Sequence, residues 1–256
     1  MTMQRRFSEL AIGMIPILAI LALWHMLAEF RIAPPSLLPA PGLVFARIVQ
    51  LLGDPAFLEH CAVTLYRLFC GFGLAVVFGV TLGILAAGSP MFGALLRPFI
   101  RVLAPVPKIA LYPAFILTLG FDHSSKIALV FADAVFPILL ATYQGALSVE
   151  PKLVWSARAM GVSRLKSLLT VVLTASLPSI LTGCRIALVI SCIVVFLSEM
   201  ISSTDGLGSL LVRAARNFQT VDMFVPIIAI SVLGLILNGL FNLLRARLLV
   251  GFPEES

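Results

Sequence analysis

The chain has 256 residues, of which 60% are hydrophobic and only 12% charged, with a mean hydropathy of +1.09 and a formal net charge of +6. Soluble domains carry roughly a quarter charged residues, so this composition excludes a soluble globular domain and indicates an integral membrane protein. Because the apolar runs are continuous rather than alternating, they predict helices and not the strands of a barrel.

Six apolar stretches are long enough to cross a bilayer core about 30 Å thick, which takes about 20 apolar residues in a helix. Arg5 and Arg6 precede the first stretch as in a signal peptide, but no small-x-small cleavage site follows, so we expect a retained span. The predicted fold is an all-α polytopic membrane helix bundle, one domain over residues 1–256 with its core at about 60–250. The spans are predicted near residues 10–28, 68–88, 102–121, 127–147, 178–198 and 223–244.

The cations are unevenly distributed between the predicted loops. With an even number of spans both termini share one side, and placing them in the cytoplasm puts ten of the 18 cations inside and six outside. This bias predicts a multi-pass protein of the cell inner membrane with both termini cytoplasmic. The basic balance thus follows from topology and calls for no nucleic-acid partner. The inside cations are Arg5, Arg6, Arg97, Arg101, Lys152, Arg158, Arg164, Lys166, Arg245 and Arg247, and the outside ones are Arg31, Arg47, Arg67, Lys126, Arg213 and Arg216.

Two short amphipathic segments are predicted on the outer side. Residues 43–52 follow a proline-rich connector and have one apolar face, which is typical of a helix at the membrane interface. A second helix between the fifth and sixth spans either rims a vestibule or lies on the membrane surface with no role in transport; the pattern leaves both open. Its apolar face is predicted to consist of Leu207, Leu210, Leu211, Ala214, Ala215 and Phe218.

Glycines and prolines mark the second and third spans. Gly79 and Gly83 form a small-xxx-small pair, which allows close helix packing either within one subunit or between two. Pro105, Pro107 and Pro113 interrupt the third span, where each removes a backbone donor and kinks the helix. Freed backbone groups are tolerated at membrane depth only in protein or a water-filled cavity, so we expect the kinks near a path or a moving part.

Charged residues within spans are costly and usually face a cavity or each other. Lys108, Asp133 and Arg185 lie inside predicted spans, and Glu199 lies at the outer end of the fifth. They either pair across helices as structural links or line the translocation path. Three histidines and four cysteines show no metal-ligand spacing, and we expect the cysteines to pack as small hydrophobic residues: Cys61, Cys70, Cys184 and Cys192.

The segment 150–178 is polar and basic although it lies between two apolar runs. Pro151 suits the first turn of a helix, Gly161 suits its end, and Ser163 is a good N-cap for the next helix. The sequence therefore predicts helix, glycine break and helix at the cytoplasmic surface. Its apolar residues are too few to insert into the membrane but sufficient to fill a groove on a partner.

This segment resembles the signature of permease subunits of bacterial ABC importers of the nitrate/taurine/aliphatic-sulfonate type: Glu-Ala-Ala, three residues, Gly, nine residues, Ile-x-Leu-Pro. Ala157, Gly161 and Leu173 match it, with Val171–Val172 preceding the leucine. Trp155 stands in place of the glutamate, Ser156 replaces the first alanine, and Thr174 replaces the proline. Further runs resemble the family in its own order over about residues 35–250, among them PVPKIALYPAFILTLGF and SEMISSTDGLGSLL.

The resemblance implies a type I importer permease fold that forms the substrate path with a second permease copy, by default in a homodimer. It implies two ABC ATPase subunits beneath the membrane and a soluble binding protein, periplasmic or lipid-anchored, that delivers substrate. Residues of about 150–167 are implied to couple the path to the ATPase. The substrate is implied to be a small anion such as a sulfonate, taurine or nitrate, or a vitamin precursor. The implied coupling residues are Lys152, Trp155, Ser156, Ala157, Arg158, Met160, Gly161, Ser163 and Arg164.

The chain has no G-x-x-x-x-G-K-[ST] loop to hold phosphates, so we expect it to bind no ATP. It also has no H-E-x-x-H, no G-x-S-x-G and no cluster of histidines with acids, so we expect it to bind no other cofactor and not to be an enzyme. Transport energy then comes from a partner ATPase or from a gradient. The alternative to the importer subunit is a self-sufficient secondary transporter or channel. That class needs several intramembrane acids for ion coupling, and only Asp133 lies well inside a predicted span.

Overall fold

A computed structural model describes residues 3–32, 34 and 36–252; the side chains of residues 3–12, 14 and 17, among them the predicted inside cations Arg5 and Arg6, are outside that description. The described residues form helices and short connections, with no strand among them. The α-helices are α1 Met3–Glu29, α2 Pro41–Leu51, α3 Pro55–Gly88, α4 Pro90–Leu103, α5 Tyr112–Leu119, α6 His123–Leu147, α7 Pro151–Ala159, α8 Arg164–Ser167, α9 Leu173–Ala175, α10 Leu177–Ser202, α11 Leu207–Arg216 and α12 Thr220–Leu248. One 3₁₀ turn covers Lys108–Leu111, and one π turn covers Leu168–Val172.

The all-α membrane bundle predicted from composition is confirmed. In the described part of the chain, α3, α6, α10 and α12 are long and apolar enough to cross a membrane, and α4 with the 3₁₀ turn and α5 form a fifth, bent candidate. Helix α1 covers the first predicted span. The second span is longer than predicted because α3 starts at Pro55, with Asp54 accepting a hydrogen bond from the backbone N–H of Ala56 as its N-cap.

The core lies between α3, α6 and α10. Leu68 of α3, Leu129 of α6 and Val195 of α10 are fully buried in one apolar cluster, and a second cluster continues toward the opposite end of the same three helices. Helices α2, α11 and α12 form a smaller cluster with the start of α3 around Phe57. Cys184 and Cys192 are buried in this packing and Cys61 and Cys70 half-buried, all as free thiols.

The glycine pair of the second span packs within the subunit. A Cβ atom added at Gly79 would lie 2.9 Å from the Cβ of Ile138, and one added at Gly83 would lie 2.7 Å from the Cβ of Thr142. Both neighbours belong to α6, so this close approach joins α3 to α6 of the same chain. Of the two alternatives left open for this pair, packing within one subunit is the one that the structure shows, so the pair gives no support for a contact with a second copy.

The third predicted span is not one helix. Helix α4 starts at Pro90 and ends at Leu103, and the segment 108–119 continues at 84° to it. Pro105 and Pro107 lie in the break, whereas Pro113 lies in the first turn of α5, where its missing N–H costs nothing. The kink expected from the prolines of this span lies at Pro105 and Pro107, and the boundary of 102–121 drawn from hydropathy left out most of the first arm, α4.

Loops assigned to opposite sides of the membrane lie at opposite ends of the bundle. At one end, Arg164 donates from Nη2 to the carbonyl of Gly88 at 2.8 Å. At the other end, Arg67 donates to Asp205, which the topology places outside. The predicted cytoplasmic segment 150–167 therefore lies at one end of the bundle and the predicted outer loops at the other.

Candidate functional site

The segment 150–167 has the helix–glycine–helix form that its sequence predicts. Pro151 lies in the first turn of α7, and Gly161 follows the end of α7 with φ +81°. Ser163 accepts from the backbone N–H of Lys166 and so caps α8. We call residues 150–167 the elbow.

The elbow presents apolar side chains that are not packed in the bundle. Trp155 is 67% exposed and Met160 is 77% exposed, and Leu153 and Leu165 are also exposed. Ala157 is buried, and Val154 packs in a cluster with Ile84 and Val172. The remaining predicted coupling residues are exposed: Lys152, Ser156, Arg158, Gly161, Ser163 and Arg164. This is an apolar surface rimmed by cations, which is the pattern expected for helix-in-groove recognition.

Two of the charges predicted within spans lie close to each other. Lys108 is only 6% exposed, and its Nζ lies 3.8 Å from Oδ1 of Asp133 and 4.5 Å from the centroid of the Phe136 ring. The same Nζ donates to the carbonyl of Ala104 at 2.8 Å, which satisfies a backbone group freed by the break after α4. The ammonium is thus stabilised by a carboxylate, a carbonyl and an aromatic face at membrane depth.

Arg185 is separate from this pair. It is exposed on α10, and its Nε donates to Oδ1 of Asn238 on α12 at 3.1 Å. A guanidinium at this depth is too costly to face lipid tails, so we expect this face to meet a second protein surface or a water-filled path.

Glu199, one of the residues expected to pair across helices or to line the path, is the centre of a buried network whose other members the sequence did not indicate. It is fully buried and accepts from Nη1 of Arg67 at 2.8 Å, from Oγ1 of Thr64 at 2.9 Å and from the backbone N–H of Gly208 at 3.1 Å. Arg67, which is 1% exposed, also donates from Nη2 to Oδ1 of Asp205 at 2.6 Å. We call these five residues the Glu199 network.

The glycines of the D-G-L-G stretch make the network possible. Gly206 has φ +88°, and a Cβ there would overlap the carboxyl of Glu199. At Gly208 a Cβ would lie 2.7 Å from the Cβ of Glu199. Only glycines let this loop approach the carboxylate so closely. The count of charges per loop assigned Arg67 to the outer end of the second span and gave it no partner. The sequence signal that could have indicated a buried partner is Asp205 followed by Gly206 and Gly208.

Asp205 lies in the loop after α10, beyond the spanning segment. Partial burial, the largest single cause, raises its pKa, but the hydrogen bond and charge of Arg67 together with the charges of His123 and Lys126 outweigh it, so the net pKa is lowered. The carboxylate is therefore ionised at neutral pH and ties the loop to α3. This anchoring holds the loop that leads into α11.

A polytopic helix bundle with a proline-broken span, intramembrane ion pairs and a protruding basic elbow defines a membrane transport permease. The chain is similar to the SsuC permease protein of Bacillus subtilis (strain 168), described for aliphatic sulfonates transport: 32% identity, covering 90% of this chain and 83% of that protein. It is also similar to the taurine transport system permease protein TauC of Escherichia coli (strain K12), with 31% identity over 95% of this chain and 90% of that one.

Solved structures support the same fold. An inward-facing MetNI methionine ABC transporter matches with a TM-score of 0.65 at 16% identity, over 73% of this chain and 93% of its own. A bacterial ABC transporter that imports the acidic polysaccharide alginate matches with a TM-score of 0.62 at 16% identity, over 94% of this chain and 99% of its own.

The family model "Binding-protein-dependent transport system inner membrane component" matches residues 79–250, and the chain belongs to that family. It is the permease component of an ABC importer, an inner-membrane protein and not itself an enzyme. The suspected nitrate/taurine/sulfonate type is confirmed by the two sulfonate and taurine relatives.

Proposed function

We propose that this permease couples transport to a separate ABC ATPase through the elbow, and that ATP is hydrolysed on the partner. The observation that carries the proposal is the exposure of Trp155 and Met160 on a segment that is otherwise well anchored. Exposed aromatic and methionine side chains at a structured surface are typical of partner interfaces. Trp155 occupies the position of the signature glutamate, so this contact depends on apolar burial instead of on a carboxylate.

We further propose two ATPase copies, a second permease copy in a homodimer, and a soluble binding protein on the outer side, periplasmic or lipid-anchored. Both termini are then cytoplasmic, on the side of the elbow. The homodimer rests on the exposed Arg185 face, since a cation at membrane depth needs a protein or water neighbour. The substrate is proposed to be a small anion, of which a sulfonate or taurine is favoured by the named relatives.

The test is co-purification of the ATPase with the tagged full-length permease from membranes. Trp155→Ala and Met160→Ala each remove an exposed anchor, and we expect each to weaken ATPase retention about 30-fold, as for an interface residue worth about 2 kcal/mol. Phe218→Ala is the matched control, because Phe218 is 91% exposed at the opposite end of the bundle. Equal retention by all three variants contradicts the docking role.

A backbone variant tests the elbow geometry. Gly161 has φ +81° and donates to the carbonyl of Arg158 at 3.0 Å, so Gly161→Pro is incompatible with the angle and removes the donor. Gly120→Pro is the control. Gly120 has φ +85° and donates to the carbonyl of Ile116, so proline there is equally incompatible with the backbone angle and removes a donor, but at the other end of the bundle. Release of the ATPase by the first variant only, or by deletion of residues 155–161, supports coupling through the elbow.

The alternative, a secondary transporter, predicts uptake by the purified chain in liposomes under an ion gradient without ATP. Its coupling ion needs an acid that is free to titrate, and the intramembrane Asp133 is already 3.8 Å from the ammonium of Lys108. This pairing favours the importer. ATP-independent uptake of a labelled sulfonate by the permease alone, driven by a proton or sodium gradient, overturns the proposal.

A further inference from the structure

A cavity of about 430 Å³ lies at the end of the bundle opposite the elbow, between the end of α10, the loop 203–206 and α11. In the proposed orientation this is the outer side, where substrate arrives. The loop that forms one wall is held by Asp205 of the Glu199 network and by the backbone N–H of Gly206, which donates to Nδ1 of His60 at 2.9 Å. The cavity therefore has a fixed wall and lies next to solvent.

The charge of this cavity is of one sign. Arg213 and Arg216 line it, and among the described lining residues there is no acid. Arg213 donates from Nη2 to the carbonyl of Thr204 at 2.9 Å, which fixes its guanidinium at the wall and leaves other N–H groups for a ligand. Arg216 is exposed and adds a second guanidinium. Guanidinium groups are well suited to bind planar or tetrahedral oxyanions through paired N–H donors.

The uncharged lining adds a hydrogen-bond donor and an apolar wall. The hydroxyl of Ser203 is buried and has no hydrogen-bond partner among the described residues, although an unpaired buried hydroxyl is costly. Phe121, Met200 and Val212 supply the apolar part of the same lining. A ligand with a small anionic head and a short apolar body matches both parts.

We propose that this cavity is an entry site that binds the sulfonate head of the substrate on Arg213 and Arg216 before it enters the path. The proposal rests on the proposed function, because it takes the substrate to be a small organic anion arriving from outside. The hydroxyl of Ser203 donates to a sulfonate oxygen, and the carbon chain lies against Met200 and Val212. The Glu199 network, behind the loop, holds the site in position and does not contact the ligand.

The test introduces a reporter thiol into the full-length protein. Thr204→Cys, on an exposed lining residue, is made in a background with the four native cysteines replaced by alanine, and the chain is reconstituted in nanodiscs. The reaction rate is measured with an anionic ethylsulfonate methanethiosulfonate and with its cationic trimethylammonium counterpart. We expect the anionic reagent to react faster, and Arg213→Gln or Arg216→Gln to lower the anionic-to-cationic rate ratio about fivefold each, as for a unit charge roughly 7 Å away in a high dielectric.

Arg31→Gln, at an exposed cation of the same side, is the control and should leave the ratio unchanged. Millimolar ethanesulfonate should slow the reaction in the parent and not in the arginine variants. Val212→Cys gives a second reporter if Thr204→Cys does not fold. A rate ratio that is insensitive to both arginines overturns the proposal. The proposal is also overturned if the rate ratio depends on the arginines but ethanesulfonate does not slow the reaction. That result assigns Arg213 and Arg216 to a docking surface for an acidic partner. ATPase retention by the elbow does not involve this cavity, so failure here leaves the importer assignment standing.

Discussion

The Glu199 network is the feature whose stability contribution can be worked out most directly. Glu199→Gln keeps the side-chain size but replaces one carboxylate oxygen with an NH₂ group. In one amide orientation the NH₂ faces the guanidinium of Arg67, and in the other it faces the hydroxyl of Thr64 and the N–H of Gly208. Each orientation sets a donor against a donor in a site that is fully buried. One of the two carboxylate charges that balance Arg67 is lost as well.

Loss of a charge-assisted hydrogen bond costs about 1.5–3 kcal/mol, and an unsatisfied buried donor costs about 1–3 kcal/mol more. We therefore expect Glu199→Gln to lower the free energy of unfolding by about 3–5 kcal/mol, in the range for breaking a buried ion pair. For a chain of this size that corresponds to a fall in Tm of roughly 10 °C, by the scaling of soluble domains.

Thermal unfolding in detergent can be followed with a thiol-reactive fluorophore once the half-buried Cys61 and Cys70 are replaced by alanine in every variant compared, because the remaining Cys184 and Cys192 are buried and react on unfolding. Glu59→Gln is the control: Glu59 is an exposed acid on the same helix as Arg67, and we expect its Tm to change by about 1–2 °C at most. A Glu199→Gln variant as stable as this control refutes the reasoning that Glu199 compensates a buried cation.

Two further predictions concern the same loop. Gly206→Ala and Gly161→Ala share the strain of a positive φ, which costs about 1–3 kcal/mol. A methyl at Gly206 also overlaps the carboxyl of Glu199, whereas one at Gly161 meets no atom within 4 Å, so the Tm of Gly206→Ala should fall several degrees further. The pKa of Asp205 is lowered in the folded state, so the ionised side chain stabilises the fold above the unfolded-state pKa of about 3.9. This stabilisation is lost as the pH falls through the lower, folded-state pKa. Asp205→Asn should therefore reduce the Tm at pH 7 and leave the Tm unchanged at a pH below the folded-state and unfolded-state pKa values of Asp205. A Tm difference between Asp205→Asn and its parent that is constant with pH contradicts the ion pair with Arg67.

The elbow could be predicted from sequence because its determinants act over a few residues. Pro151, Gly161 and Ser163 each restrict the backbone locally, and the structure places them at the first turn, the glycine break and the N-cap. Whether the exposed residues dock an ATPase is a separate matter that local signals do not decide. For α11 the local pattern was right in part. Leu207 and Leu211 are buried, as the predicted apolar face requires, but the prediction for Phe218 was wrong, because this residue lies beyond the helix end at φ +55° and is exposed.

The Glu199 network could not be predicted because it is set by tertiary packing. Arg67 and Glu199 are 132 positions apart, and the two come together only once α3 and α10 are packed in register on α6. A hydropathy profile gives no sign that an arginine near the end of a span is buried. Arg67 is buried because Glu199 and Asp205 compensate its charge. Likewise, the pairing of Gly79 with α6 depends on which helix is adjacent, which a small-xxx-small pattern leaves open.

The breaks in the helices and the rigid contacts lie in different places, and this constrains how the permease can move. The Glu199 network joins α3, α10 and the loop before α11 at the end opposite the elbow through buried charged hydrogen bonds, so these elements are expected to move together. At the 84° bend after α4, Lys108 donates to the carbonyl of Ala104 and pairs with Asp133 of α6, whereas Gly161 has φ +81° and no atom within 4 Å of an added Cβ. Hinges are positions that absorb backbone change at low cost. Gly161 is therefore the expected hinge, and in the proposed coupling the elbow can turn with its partner while the wall of the cavity at the opposite end keeps its shape.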